Sequence, residues 1–531
     1  MEKKVKNILV YAASLAASLL AASCNEEINE TIDDPAAPTV HSIEVTVPVS
    51  TDTKASYAGG GAATTFEAGD KLYIKVQSGE TCTYVGVLDI SAGAVSTFTG
   101  TLYKTAGTDY SGSDIITDCT SLEATLLPSG YDDTYYVLTE EGGIVTGLTV
   151  EPAKAFSAAA TKAAAVPQVA NASYNTTLSG AKTITLTPRN AVLYYTLSGL
   201  AASTSIDVTV SDGTTTVSGS VDTNADGEAS FAVGYAGGTG SKTYTVSTTG
   251  KDDDAVTASL VASKVYNVTR FMYPVGAIHG QFTVSSTGTK VCFAQGNLTY
   301  STSSPNWSFL SNSWEYNTNA WADDKYGKVD GSQHFYWSGD KGVFQTVDGE
   351  CESAGLISDI TSALGSTSWR GLSLAEWRYL LGYDKNNGGT QSSKRTVQWH
   401  YYAMITSTAS IGTGNKRYLL IFPDDFQESD WNTSSMGAEP TEFDGSSESS
   451  AEYTADNFTA MQTAGIVILP AAGFRMSTTF TSIGENGNYW SSTSGNSQAY
   501  TLGFYNGAMN LGSTNKEGWL SLSVRLVQNL N

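Results

Sequence analysis

The chain has 531 residues, a formal net charge of −23 and a sequence pI near 4.5. Such an acidic protein repels phosphate backbones and anionic headgroups, which excludes nucleic acid and anionic lipid as partners. Only 15 % of residues are charged, while Gly, Ser, Thr and Tyr abound; this is the profile of an extracellular β-rich protein rather than a cytosolic enzyme, with room for roughly two to four domains.

At the N-terminus Lys3, Lys4 and Lys6 precede an apolar or small-residue run from Ile8 to Ala22. The run is short for a membrane span and ends in small residues, as a cleavable signal does. It closes on Leu20-Ala21-Ala22-Ser23-Cys24, which resembles the lipobox of bacterial lipoproteins, with the usual Leu one position early. The resemblance implies a signal peptide over 1–23 and lipid attachment at Cys24; the alternative is an ordinary secretory signal. The acidic stretch Asn25-Glu-Glu-Ile-Asn-Glu30 resembles the signal that sends lipoproteins of fimbria-bearing Gram-negative anaerobes to the outer face of the outer membrane, or it is a solvated acidic leader. Either way the protein is expected outside the cytoplasm, attached to the membrane by its lipid alone. Residues 24–39, with Asp33-Asp-Pro-Ala-Ala-Pro38, read as a polar tether.

Residues 40–272 alternate apolar and polar side chains. Strands are predicted at His41–Pro48, Lys71–Val76, Ala181–Thr187, Ser205–Val210 and Lys264–Thr269. Ser211-Asp-Gly213 and Asp226-Gly227 suit tight hairpins. Ala155 to Ala165 leans towards helix, or is a small-residue loop. Sheets with one wet face need a second layer, so the expectation is one or two β-sandwiches. Asp222-Thr-Asn224-Ala-Asp226-Gly227 matches the start of an EF-hand loop, but Val233 stands where the twelfth-position Glu is required; a hairpin turn is the stronger reading.

Three phrases resemble fimbrillin-type domains: Thr53-Lys-Ala-Ser-Tyr57 followed by Thr65-Phe-Glu-Ala-Gly-Asp-Lys-Leu-Tyr-Ile74, then Leu186-Thr-Pro-Arg-Asn-Ala-Val-Leu-Tyr-Tyr195, then Lys264-Val-Tyr-Asn-Val268. The resemblance spans about residues 40 to 272. It implies two tandem β-sandwich lobes and a fimbrial or fimbria-derived surface subunit. It also implies Lys54 as a candidate for proteolytic trimming that opens a groove for a neighbour's strand; an uncut Lys54 in an edge strand is the alternative.

Residues 273–531 differ in character, and all ten tryptophans lie after residue 300. Trp369-Arg-Gly-Leu-Ser-Leu-Ala-Glu-Trp-Arg-Tyr-Leu-Leu381 predicts a helix capped by Ser373 with Glu376 as capping-box partner, its apolar face being Leu374, Trp377, Leu380 and Leu381. Leu374-Ala-Glu-Trp377, Leu469-Pro-Ala-Ala-Gly-Phe-Arg475, Tyr489-Trp-Ser-Ser492 and Ser523-Val-Arg525 together resemble the C-type-lectin-like domains related to formylglycine-generating enzymes and to the variable proteins of diversity-generating retroelements. That resemblance implies a compact α+β domain with a ligand-binding face between the Tyr-Trp-Ser-Ser strand and the last strand. The residues implicated are Ser491, Ser492, Thr493, Asn496, Gln498, Tyr500, Tyr505, Asn506, Asn510 and Asn515. Their Ser, Asn and Tyr content suits an adaptable binding surface, or a plain polar hairpin. Trp490 and Arg525 read as framework, the arginine pairing with a carboxylate or carbonyl.

Beyond Cys24 the cysteines are Cys82, Cys119, Cys292 and Cys351, which allows one disulfide in each half. The four histidines, His41, His279, His334 and His400, are scattered and suggest no metal site. The cysteine pair of the related oxidases is missing after Cys351, and no hydrolase elbow, phosphate loop or zinc helix is present. Ala438-Glu-Pro-Thr441 lacks the amide of a calcium-dependent sugar motif. The expectation is a non-enzymatic surface protein without cofactor: an adhesin with an unknown protein or glycan ligand, or a fimbrial tip or cap subunit partnered by other fimbrial subunits, or, less favoured, a glycan-capture lipoprotein.

Overall fold

The structure is a computed structural model that describes residues 41–49, 66–79, 82–91, 96–176, 183–300, 307–316, 334–338, 343–345, 369–383, 393–408, 416–443, 447–476, 479–495, 498–516 and 520–530. Cys24, Lys54, Cys351 and Asn496 lie outside them. The architecture is mostly β, as the alternation predicts, with β-sandwich packing and a few short helices.

In the first lobe seven strands run in the order Ser42–Pro48, Thr97–Ala106, Cys82–Ile90, Lys71–Ser78, Cys119–Leu127, Ala172–Thr176 and Thr187–Pro188. Lys71–Ser78 shows how sequence becomes packing. Leu72, Ile74 and Val76 enter one core with Leu88, Phe98 and Leu122. Tyr73, one residue out of phase, points to the opposite face, under the hairpin of Tyr136–Glu141 and Ile144–Val150. The Gly-Asp-Lys phrase is the turn before this strand. Gly69 takes φ +97°, and buried Asp70 accepts the backbone N–H groups of Glu67 at 2.8 Å and Ser129 at 2.7 Å.

Two expectations change here. The strand expected over Ala181–Thr187 lies within the described residues only from Thr183, and there it is interrupted: Ile184 makes one parallel bridge to Val49, and pairing resumes only at Thr187–Pro188. Ile184 and Leu186 are buried as the alternation requires, but Pro188 has no N–H with which to extend a ladder. Cys82 and Cys119 are not bridged. Both pair with Ser78 from opposite sides of its strand, two strand spacings or about 10 Å apart, beyond disulfide reach.

The helix-leaning stretch Ala155–Ala165 opens with a short strand at Phe156–Ser157 and ends in the first turn of a helix at Lys162–Val169. The helix starts later than Ala155 because Thr161 caps it, accepting the Ala164 N–H at 3.2 Å. Its Ala165, Val166 and Val169 pack with Tyr73, Val85 and Leu127 of the first lobe and with Val192, Ala232 and Val265 of the second. The two lobes therefore share one apolar cluster.

The second lobe is a sandwich of two four-stranded sheets. One holds Val265–Phe271, Asn190–Ser198, Ala229–Ala236 and Phe156–Ser157; the other holds Thr216–Asp222, Ser205–Ser211, Lys242–Thr248 and Asp254–Ala258. Leu193, Tyr195, Val208, Val210, Phe231 and Val246 fill the space between them. The opening and closing phrases of the second fimbrillin-like half lie side by side, Val192 opposite Val265 in a parallel pair. Ser211-Asp-Gly213 turns a hairpin as expected. Asp226-Gly227 does not: Thr216–Asp222 and Ala229–Ala236 belong to different sheets, so this turn carries the chain across the sandwich. The Asn224 side chain accepts the Asp226 and Glu228 N–H groups, each at 2.9 Å, which organises the turn from within.

In the C-terminal unit Lys290–Phe293 pairs with Val527–Leu530, joining the beginning and end of the unit. A helix, Leu374–Leu381, packs on a sheet containing Leu520–Ser523, Asn486–Gly495, Gln498–Tyr505 and Ala508–Lys516. A second sheet is built from Tyr402–Ser407, Lys416–Ile421, Val467–Pro470 and Ser449–Ala451. Among the described residues no helix is long and apolar enough to cross a membrane.

Replacing buried Asp70 by Ala leaves the Glu67 and Ser129 N–H groups without their acceptor beneath a turn whose Glu67, Ala68 and Gly69 are exposed. The expected loss is about 2–3 kcal/mol in urea unfolding, and Asp70→Asn, which keeps one oxygen, should lose less.

Candidate ligand-binding face

The closing strands are fixed by one buried guanidinium. Arg525 Nε donates to Asn297 Oδ1 at 3.0 Å. Nη1 donates to Ala294 O at 3.2 Å and Ser313 Oγ at 2.9 Å. Nη2 donates to Ser313 O at 2.8 Å and Ile468 O at 3.2 Å. Burial lowers the guanidinium to about 10, so it stays charged at neutral pH. Asn297 also donates to Tyr489 Oη at 3.3 Å, and Tyr489 donates to Pro470 O at 2.9 Å. Pro470, Tyr489 and Arg525, from three of the four lectin-like phrases, thus meet in one network with Ala294, Asn297 and Ser313.

The helix carries the predicted capping box: Ser373 Oγ accepts the Glu376 N–H and Glu376 accepts the Ser373 N–H. Arg370 grips Glu376 in a fork at 2.9 and 2.7 Å. Leu374, Trp377, Leu380 and Leu381 are buried against the sheet.

The residues expected to bind ligand divide by position. Ser491 is wholly buried, so its side chain is not on a surface. Ser491, Ser492 and Thr493 form a bulge, because pairing jumps from Trp490 opposite Thr501 to Ser494 opposite Ala499. The bulge stitches strand to helix: Ser492 N–H donates to Leu372 O at 2.9 Å, and Thr493 Oγ1 accepts the Leu374 N–H at 2.9 Å. Tyr500 packs against the core with Leu502 and Phe504. Tyr505 lies on the other face of the same strand and is 42 % exposed, so the two tyrosines do not share a surface. Gln498 is opposite Lys516 and Asn515 opposite Ala499 in the ladder.

Asn506 is a turn residue. Asn506 and Gly507 have φ of +39° and +70° and connect Tyr505 to its partner Ala508, the arrangement of a two-residue type I′ hairpin. The Asn506 side chain accepts from Arg417 Nη2 at 3.4 Å. Arg417 forks onto Glu448 at 2.6 and 3.2 Å and donates to Glu485 O at 3.1 Å. The hairpin tip is therefore clamped to the neighbouring sheet.

Register brings a different set together. Asn488, Gly503 and Asn510 lie in one row across three strands. With no side chain at Gly503, a Cβ there would meet only Asn488 Oδ1 at 3.7 Å and backbone oxygens slightly further away. The row is a shallow notch flanked by two amides, with Tyr505 on its rim, and Asn488 Nδ2 is buried without a hydrogen-bond partner. Asn488 and Gly503 were not among the expected residues. The Tyr-Asn-Gly-Ala hairpin signal fixes the register that places them there, and it was legible in the sequence.

No family model matches the sequence, and no curated protein matches it. Among solved structures the chain is similar to a Bacteroides ovatus protein proposed to act in cell adhesion, at 12 % identity and a TM-score of 0.21 over 44 % of this chain and 94 % of that one. It is similar to the tip fimbrial protein Mfa3 of Porphyromonas gingivalis, with C-terminal truncation, at 8 % identity and a TM-score of 0.15, over 41 % of this chain and 81 % of that one. It is also similar to the major pilin of Streptococcus pyogenes, at 8 % identity and a TM-score of 0.12, over 44 % and 98 %. Scores of this size do not establish a shared fold.

The clamp predicts a pH dependence. Burial pushes the Glu448 carboxyl up, but Arg417 and the other bonds to it outweigh burial and hold it below the usual glutamate range. Its contribution to stability is therefore present above the unfolded-state value and lost as pH falls through the lowered folded value. Urea unfolding between pH 7 and 3 should show that loss in the native chain and less of it in Glu448→Gln. Arg417→Ala should cost about 1–3 kcal/mol at neutral pH.

Proposed function

We propose that this protein is a surface adhesin: a lipoprotein anchored through Cys24, facing outward from the outer membrane. Its C-terminal unit is the ligand-binding head and its two β lobes are the stalk. One observation carries the reading. The outer face of the C-terminal hairpin presents an exposed Tyr505 beside the Asn488–Gly503–Asn510 notch, on a frame fixed by the Arg525 network and the Arg417 clamp. A rigid aromatic next to a polar notch, with Asn488 Nδ2 lacking a hydrogen-bond partner, is prearranged before binding, which is how adaptable recognition surfaces obtain affinity. The meeting of three of the four phrases, through Pro470, Tyr489 and Arg525, in one network supports the C-type-lectin-like reading of this unit, and the ligand is a protein or a glycan. No catalytic role is proposed.

A second reading, the tip or cap subunit of a fimbria, has its own support. Val527–Leu530 is held on both sides, by Lys290–Phe293 and by Trp369–Arg370. A strand so placed cannot be given to a neighbour without breaking the sheet. The two readings are compatible.

The test is a glycan and host-protein array probed with the mature chain, beside Tyr505→Ala and Asn510→Ala. Binding should weaken at least tenfold in the Tyr505 variant with an unchanged melting temperature. Tyr500→Ala should instead lower the melting temperature, because it opens the core. Binding indifferent to Tyr505 would remove the face as the receptor site. Copurification with polymerised pilins, without any array binding, would favour the tip reading.

A further inference from the structure

We infer a second binding site, at the junction of the two β lobes and separate from the hairpin face: a cleft for a neutral oligosaccharide. The cleft has a volume of about 640 Å³, within the range of small-molecule sites. Its walls come from both lobes. Tyr131, Asp132 and Asp133 stand on the first, and Ser218 and Ser220 stand on an outer strand of the second.

The cleft is preformed. Phe156 packs into the core of the second sandwich and stacks on Phe231 at 5.3 Å. It occupies the place of a side chain at Gly219, where a Cβ would sit 2.2 Å from its ring. Behind the opposite wall, Ala165, Val166 and Val169 belong to the apolar cluster that both lobes share. The Tyr131 ring is held edge-on against Tyr136 at 5.9 Å. The Asp132 turn is fixed by its own carboxylate, which accepts the Thr134 N–H at 2.7 Å.

The polar lining selects the ligand chemistry. Buried Ser157 donates to Gln168 Oε1 at 2.8 Å. Oε1 of Gln168 thus faces Ser157, and Nε2 is left as a donor with no partner among the described residues. The lining contains no Lys, Arg or His and includes two carboxylates, which repel an anion. A cation is served by acceptors alone and opposed by the Gln168 N–H donors. A hydroxyl is donor and acceptor at once, and it matches carboxylates, an amide N–H group and serine hydroxyls set around one space. Tyr131 adds a ring against which the C–H face of a sugar can lie. Ser220 is oriented by Asp207, to which its hydroxyl donates.

The experiment is isothermal titration of the mature chain with maltotriose, cellotriose, mannotriose and N-acetylchitotriose. Three variants accompany it: Asp133→Ala, Ala158→Trp and Tyr505→Ala. Asp133 and Ala158 are exposed lining residues, so neither change disturbs a core. Saturable binding to at least one trisaccharide is expected, weakened at least tenfold by Asp133→Ala and abolished by Ala158→Trp, whose indole obstructs the cleft. Tyr505→Ala should leave it unchanged, which separates this site from the hairpin face. No binding to any of the four sugars, binding that survives Ala158→Trp, or binding lost in Tyr505→Ala would each overturn the assignment.

Discussion

The C-terminal unit depends on a charge it has taken out of water. Removing a guanidinium from solvent costs several kcal/mol unless its donors are matched. Arg525 meets that condition with five bonds to Asn297, Ala294, Ser313 and Ile468. Those partners come from segments more than 170 residues apart in the sequence (Ala294 to Ile468). An arrangement missing any one of them would leave a buried charge underpaired, so the network selects a single packing of the closing strands.

The same constraint sets the geometry of the hairpin face. The network holds Tyr489, Tyr489 fixes the register of its strand against Leu502, and this register aligns Asn488, Gly503 and Asn510. At the far end Arg417 and Glu448 hold the hairpin tip. The lobes follow another logic. They are joined by apolar side chains around one short helix.

Much of the fold was legible in the sequence. Period-two alternation located Lys71–Ser78 and Ser205–Ser211, and Ser373 with Glu376 located the helix to the residue. What escaped depends on long-range pairing. The Asp226-Gly227 turn has the local chemistry of a hairpin, yet its flanking strands find partners in different sheets. Ser491, Ser492 and Thr493 have the composition of a binding loop, but a bulge commits them to the helix N-terminus. Tyr500 and Tyr505 look equivalent until strand periodicity assigns them to opposite faces. Composition indicated that a polar, tyrosine-bearing surface lay in this window; only register showed which of its side chains reach solvent.

The measurement that bears most directly on this account is hydrogen–deuterium exchange of the protein carrying Arg525→Lys. Lysine keeps the charge but offers three donors from one point, and cannot reach a planar set of five acceptors. The account predicts that Asn486–Gly495, Gln498–Tyr505 and Lys290–Phe293 lose protection together, while Asn190–Ser198 and Ala229–Ala236 in the second β lobe keep theirs. Unchanged protection of the closing strands would contradict it, because the hairpin face would then owe its shape to something other than the buried arginine.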